Sequence, residues 1–403
     1  MYSGKEMKGE HMKKRVLLMG TILMLFLGLI YAWSLFAAPL EDFFAWNRSQ
    51  TSMTFSISMI TFCLGNVISS IILRRKQPRL VILISAGLFL LGFFFVSLIT
   101  NIWGLYIFYG VMCGLGTGLS YNAILSTVPK WYPDGTGSVT GTLLMGMGLG
   151  SLLLGTVVRR LMDLLIWRTT FKMLALLFFL LFSLGSLSII NPPTTNKIRG
   201  KKEQGAMNAK GDYPLGEMIM TRDFWLLFLW ATITSAIGLG LVSNASYMAQ
   251  EIGVGEAMLP LLVGMVSVGN AMGRLLFGRI ADIMDGKKAM LVGNLVFLGA
   301  LSLSILANKT GIIVLLLLGF ALGGIGYGAP PTLSAALTKK KFGQKYFPEN
   351  LSAILLVLIP ASLLGPTITA SLYRQSGHYL ASYFIMLAMV ILAFLPAGIY
   401  REN

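Results

Sequence analysis

The sequence predicts an all-α membrane protein with twelve transmembrane helices in two six-helix halves that repeat each other in parallel. Three observations predict it. Of the 403 residues, 55% are hydrophobic and only 12% are charged, against about 25% charged in an average soluble domain. The apolar residues gather into twelve runs, each of a length that crosses a bilayer. Short motifs from the first six runs return, in order, in the last six. The mean hydropathy of +0.75 agrees. This composition excludes a disordered chain, a fibre, a coiled coil and an ordinary soluble enzyme.

A spanning helix needs roughly 20 apolar residues. The runs lie at about 16–38, 54–73, 80–99, 102–127, 138–158 and 170–190 in the first half. In the second half they lie at about 224–247, 258–278, 288–307, 311–336, 350–372 and 380–400. The first run is too long for a cleaved leader, and no small-residue cleavage pattern follows it. The loops are short except for residues 191–222, a polar, basic stretch that includes NPPTTNKIRGKKEQ, whose double proline is expected to stop the sixth helix. The expected organisation is 1–190 as one six-helix half, 191–222 as a cytoplasmic linker and 223–403 as the other half.

The net charge is +16, from 32 Lys+Arg against 16 Asp+Glu. With the N-terminus placed in the cytoplasm, most of the basic residues fall in cytoplasmic loops and tails, Lys13, Lys14, Arg15, Arg74, Arg75, Lys76, Lys201, Lys202, Lys287 and Lys288 among them. The outer loops hold Arg48, Arg159, Arg160, Arg168, Lys172, Lys309 and Arg374. This asymmetry is the positive-inside pattern with both termini cytoplasmic. It predicts a plasma or inner membrane protein and removes the reason to invoke nucleic acid. Cys63 and Cys113 sit in apolar runs as small core residues, and with only His11 and His378 no metal site or cofactor is expected.

The repeat is visible as GLGTGLS from Gly114 against GIGYGAP from Gly324, an offset of 210. LGN at Gly65–Asn66 matches VGN at Gly269–Asn270, and SLLLG ending at Gly155 matches ASLLG ending at Gly365. The GxGxG runs are inside membrane helices and follow no strand, so they read as packing surfaces and not as phosphate loops. Pro330, Pro331 and Pro360 are expected to kink the tenth and eleventh helices as gate hinges.

Between the eighth and ninth runs stands GRIADIMDGKK, Gly278 to Lys288. It resembles the cytoplasmic loop motif of the major facilitator superfamily, and the resemblance covers nearly the whole chain. It implies that Gly278 lets helices approach, that Asp282 caps or pairs across the bundle, and that Gly286, Lys287 and Lys288 complete a gating loop. The equivalent LRRKQPR after the second run lacks the glycine and the acid. Within the superfamily the chain is similar to the oxalate/formate antiporters and monocarboxylate transporters. The stretches that carry this are GLIYAWSLFAAPL from Gly28, VPKWYPDGTGSVTG from Val128, GNAMGRLLFG from Gly269 and NLSAILLVLIPASLLGP from Asn350. Three departures stand out. Leu358 is where oxalate carriers have a lysine, Asn270 is where proton-linked monocarboxylate carriers often have an aspartate, and Gly110 is where many proton-coupled drug and sugar carriers have an arginine.

Arg274 is the one basic residue outside the topology pattern. It lies eight residues before Asp282, so at ~1.5 Å per residue it sits ~12 Å deep in the hydrocarbon. None of the acids falls at that depth. A guanidinium there needs a partner, and a ligand carboxylate fits its planar fork; a structural partner such as a backbone carbonyl is the other reading. Asn270, one turn earlier, faces the same way. Tyr31 and Trp33 in the first helix, Tyr121 and Asn122 in the fourth, and Tyr327 in the tenth are candidates to wall and hydrogen-bond the substrate, although lone aromatics in membrane helices are also ordinary packing. NKT at Asn308 is a glycosylation pattern.

The expected function is secondary transport of a small organic anion, first a monocarboxylate, bound near the midplane and exposed alternately to the two sides. With no central acid, exchange or uniport is favoured over proton symport. A neutral or cationic solute such as a drug, and a receptor without transport, are the alternatives; an enzyme is not expected. The chain is expected to act as a monomer in contact with membrane lipid.

Overall fold

The computed structural model describes residues 4–192, 212–255 and 258–401. The core of the linker, 193–211, with Lys197, Arg199, Lys201, Lys202 and Lys210, lies outside the described residues. Among those described, all regular structure is helical, and twelve helices are long and apolar enough to cross a membrane. They are α1 (Glu10–Ala32), α2 (Gln50–Leu73), α3 (Pro78–Val96), α4 (Ile102–Trp131), α5 (Pro133–Met162), α6 (Trp167–Ser186), α7 (Arg222–Glu251), α8 (Leu261–Ile283), α9 (Gly286–Thr310), α10 (Ile313–Phe342), α11 (Phe347–Ser376) and α12 (Leu380–Ile399). Helices are the natural solution because each backbone N–H and C=O must be satisfied within its own segment in lipid.

Local chemistry sets the ends. Asn47 and Gln50 form a reciprocal capping box at the start of α2. Asn101 caps α4 and Thr221 caps α7. Gly311 and Gly377 close α9 and α11 at positive φ, where glycine carries no Cβ penalty. One sequence expectation is corrected: α6 ends at Ser186, in a turn at Leu187–Ser188 that comes before the proline pair. Pro330 and Pro331 lie inside the continuous helix of α10. α11 breaks at Leu356–Val357, between segments Phe347–Leu355 and Leu358–Ser376, one turn before Pro360, where the proline withholds the i→i−4 bond to Leu356. Two irregularities were not foreseen. α1 tightens to 3₁₀ geometry at Gly28–Ala32, and α4 widens to π geometry at Tyr106–Cys113.

By internal contacts the chain divides into two units, Met1–Val139 with Leu149–Lys210, and Thr140–Gly148 with Gly211–Asn403. The short stretch of α5, Thr140–Gly148, therefore groups with the C-terminal helices. The first unit is packed by rings: Phe89, Phe93, Phe178 and Phe182 form an edge-and-stack cluster with centroids 4.9 to 6.3 Å apart. The second buries Phe297, Phe320, Tyr327 and Tyr383 among Leu and Val of α7 to α12.

Glycines let α4 lie on α2 and α10 lie on α8, and they correct the repeat register. A Cβ at Gly118 would collide with the Phe62 carbonyl oxygen and lie 2.9 Å from Asn66 N. A Cβ at Gly324 would collide with the Val266 carbonyl oxygen and lie 2.9 Å from Asn270 N. Gly118 and Gly324 thus do the same work, and the offset between α4 and α10 is 206, one helical turn less than the 210 read from the glycine strings. In this register Tyr121 pairs with Tyr327. In α5 the glycine that meets α1 backbone is Gly150, against Leu25 and Gly28, as Gly365 meets Ala236 and Gly240; Gly155 meets only the Leu35 and Ala32 side chains.

Candidate functional site

Arg274 is 97% buried, with 3% of its surface exposed. Its Nε donates to Asn270 Oδ1 at 3.1 Å, one turn back on α8, and its Nη1 donates to the Leu144 carbonyl oxygen of α5 at 2.7 Å. It forms no ion pair with a carboxylate among the described residues. Both readings of its sequence partner are thereby constrained: a backbone carbonyl is present, and an acid is not.

Glycines clear the space around it. A Cβ at Gly141 would collide with Arg274 O and lie 3.1 Å from Gly278 Cα, so α5 and α8 touch backbone to backbone. A Cβ at Gly328 would crowd Arg274 N and Gly273. Gly148 stands over the side chain, with its Cβ position 3.5 Å from Arg274 Nε. Donation from Nε fixes the Asn270 amide with its oxygen toward the guanidinium. Its Nδ2 and the Arg274 Nη2 are bonded to no acceptor among the described residues. What this pair presents is therefore N–H donors and one buried positive charge, with no carboxylate among the described residues to offset it; donors and charge of this kind are chemically complementary to an anion.

The other sequence candidates are distributed over both units. In the second, Tyr327 is buried with its ring against the Gly238 backbone of α7, and Gly328, next in sequence, abuts Arg274. In the first unit, Trp33 donates from Nε1 to the Thr51 carbonyl at 3.0 Å and packs 4.4 Å from Tyr109. Tyr31 is half-buried in the 3₁₀ segment of α1. Tyr121 is buried edge-on to Phe62 at 5.1 Å. Asn122 donates to the Asn66 carbonyl at 3.3 Å and accepts from Ser126 Oγ at 2.9 Å, so its amide binds α4 to α2. Of the loop motif, Gly278 makes the α5 contact, Asp282 is exposed at the end of α8, Gly286 is buried at the start of α9, Lys287 is half-buried and Lys288 exposed. Asn308 donates to Glu251 Oε1 at 3.3 Å. No group of three or more His, Cys, Asp or Glu able to hold a metal occurs among the described residues.

A backbone carbonyl was the other partner expected for Arg274, and one is present; that it is the carbonyl of Leu144 was not legible, because a backbone acceptor leaves no residue-type signal. Its setting does leave one: Gly141 and Gly148, seven residues apart, mark the face of α5 that lies on α8.

The family model of the Major Facilitator Superfamily matches residues 17–245 and again 229–402. The chain is 25% identical over 341 residues to an uncharacterised MFS-type transporter, YhjX, of Escherichia coli (strain K12), covering 84% of this chain and 83% of that protein. It is 24% identical over 353 residues to the oxalate:formate antiporter of Oxalobacter formigenes, covering 87% and 82%. Monocarboxylate transporter 10 of Homo sapiens is 23% identical over 389 residues, covering 90% and 73%. Among solved structures, the proton:xylose symporter XylE aligns over 98% of this chain and 97% of its own with a TM-score of 0.75 at 15% identity. FucP in its outward conformation aligns over 96% and 99% with a TM-score of 0.72 at 15% identity.

Proposed function

Given that the chain belongs to the Major Facilitator Superfamily, and is an integral membrane transporter and not an enzyme, we propose that it carries a small organic anion, first among them a monocarboxylate. One observation carries the reading. A guanidinium 97% buried in a membrane helix is met, among the described residues, by dipoles and not by a carboxylate: the Asn270 amide and the Leu144 carbonyl. An unneutralised charge at that depth is costly, by about 2.5–3.5 kcal/mol on insertion scales, and a substrate carboxylate supplies the missing charge through Nη2, beside the Nη1 bond to Leu144. The kinship with an oxalate:formate antiporter and with monocarboxylate transporters supports the same substrate class.

In this proposal Arg274 binds the carboxylate, Asn270 orients the guanidinium and offers Nδ2 to a second oxygen, and Tyr327 is the second unit's aromatic candidate for the substrate path, while Tyr121, its mate in the 206-residue register, and Tyr31 are those of the first unit. Trp33 and Asn122 support helix contacts. Neither Asn270 nor Leu144 can release a proton, so exchange or uniport is favoured over symport through a protein-borne proton. Gly278, Asp282, Gly286, Lys287 and Lys288 form the gating loop. The lysine and arginine asymmetry of the loops supports a cell-membrane protein with both termini in the cytoplasm, and a monomer is the assembly proposed with it.

A thermal-shift panel on the purified protein tests this, with formate, lactate, pyruvate and oxalate against glucose and a cationic drug. Carboxylates stabilise the protein and Arg274→Ala abolishes the shift while Arg274→Lys keeps part of it. Stabilisation by the neutral or cationic compounds alone, or carboxylate uptake into proteoliposomes unchanged by Arg274→Ala, refutes the reading.

A further inference from the structure

The VPKWYP segment at the end of α4 takes no part in the anion site, yet it is tied down. Trp131, buried, donates from Nε1 to the Ile190 carbonyl at 2.9 Å, and Lys130 Nζ donates to Asn191 Oδ1 at 3.2 Å. Arg15 Nε adds a bond to Ser188 Oγ at 3.2 Å. The chain leaving α6 is thus held at three successive places within the first unit.

The second unit does the same with the chain leaving α12. Lys341, at the end of α10, pairs with Asp223 at 2.9 Å and donates to the Arg401 carbonyl at 2.9 Å. That pair is largely shielded, with 14% and 22% of the two side chains exposed, so water screens it less than a surface pair.

A further set of bonds holds the chain entering α7. Tyr213 N donates to the Phe342 carbonyl at 3.1 Å, Asn350 Nδ2 donates to the Tyr213 carbonyl at 3.0 Å, and Lys345 N donates to Asp212 Oδ1 at 3.1 Å. Gly343 makes room, since a Cβ there would collide with the Asp212 carboxylate and its φ is +84°.

We infer that the turn after α4 and the turn after α10 are the two anchorages of the connector between the halves. The chain on each side of 193–211 is fastened inside its own unit, at 188–191 and at 212–213. Lys130, Trp131, Gly343 and Asn350 are positioning residues of this device. A connector whose ends merely hung from α6 and α7 would have no need of bonds to the turns beyond α4 and α10.

The test uses the full chain with a protease site inserted within 193–211, cut after purification in detergent, and amide hydrogen exchange as readout. Cutting leaves exchange at 188–191 and 212–214 within about twofold of the uncut protein. Trp131→Phe with Lys130→Gln, left uncut, speeds exchange at 188–191 at least tenfold and leaves 212–214 unchanged, while Asn350→Ala does the reverse. Loss of protection on cutting alone, or retention of it in both unclasped variants, overturns the inference. Should the double variant fail to fold, Asn191→Ala carries the first arm, since it removes only the lysine's acceptor.

Discussion

Asn270→Asp is the substitution that asks most of the site. Asparagine and aspartate have the same shape, so the change keeps the 3.1 Å contact to Arg274 Nε and alters only the charge. The introduced carboxylate neutralises the guanidinium from within. A substrate anion on the Nη edge then sits about 6 Å from a like charge, a repulsion of about 3 kcal/mol at an effective dielectric of about 20. At about 1.4 kcal/mol per decade this weakens anion binding about a hundredfold. The loss is recoverable only if the new carboxylate takes up a proton as the anion binds. Apparent affinity should therefore rise as pH falls, by up to about tenfold per pH unit, whereas the native protein has no titratable partner at Arg274 and keeps a flat profile between pH 6 and 8. Calorimetric titration with the carboxylate that shifts the native protein most, repeated at three pH values in two buffers of different ionisation enthalpy, reads both the affinity and the proton uptake. An Asn270→Asp protein that binds as the native one does, with no pH slope and no proton uptake, would falsify the placement of the anion on Arg274.

Four further outcomes follow from the packing. Gly118→Val and Gly324→Val each drive a side chain into facing backbone and should cost about 1–3 kcal/mol or more in thermal or denaturant unfolding, while Gly299→Ala, whose Cβ meets nothing within 4 Å, should be neutral or slightly stabilising. Trp230→Phe removes the 2.9 Å bond to Asn294 Oδ1; because Asn294 Nδ2 already lacks a partner, the stranded amide should cost about 1–3 kcal/mol, measurable against Trp230→Tyr. Glu251→Gln weakens the junction where Glu251 accepts from Tyr379 N at 2.8 Å and meets His378 Nδ1 at 3.4 Å, and should speed amide exchange at Tyr379 without changing carboxylate affinity. Burial first, then Tyr373, Tyr247 and Glu251, push the Tyr379 hydroxyl up to about 12; its folded value exceeds the unfolded value of about 10, so its share of stability is full below about pH 10 and is lost as pH climbs toward 12, which a series of melting curves with Tyr379→Phe as reference detects.

The fold was legible because a bilayer imposes one rule on every segment. Twelve apolar runs of spanning length read directly as twelve helices, and the loop charges needed only the topology pattern. Harder to read were features decided by backbone against backbone. Gly114, Gly116 and Gly118 offer the same small surface at successive turns, so matching the strings to Gly324, Gly326 and Gly328 slipped by one turn. Only the collision of a Cβ with Phe62 O in one unit and with Val266 O in the other picks the register. The break in α11 was legible: it falls at Leu356–Val357, one turn before Pro360, where a proline withholds the bond that would continue the helix.

The site divides along the same line. That Arg274 has no acid at its depth follows from counting carboxylates along the sequence, and so does the adjacency of Asn270, one turn away on the same face. That its Nη1 rests on the Leu144 carbonyl does not follow, since every residue has a carbonyl. This contact changes the expected energetics of binding. A carboxylate arriving at Arg274 replaces or joins an acceptor already worth a charge-assisted hydrogen bond, roughly 1.5–3 kcal/mol, so its net gain is smaller than an empty guanidinium would give. A carrier profits from that: a site that holds its substrate too firmly cannot release it on the other side. On the proposed reading, the backbone acceptor that the sequence could not show sets how tightly Arg274, which it could show, would hold an anion.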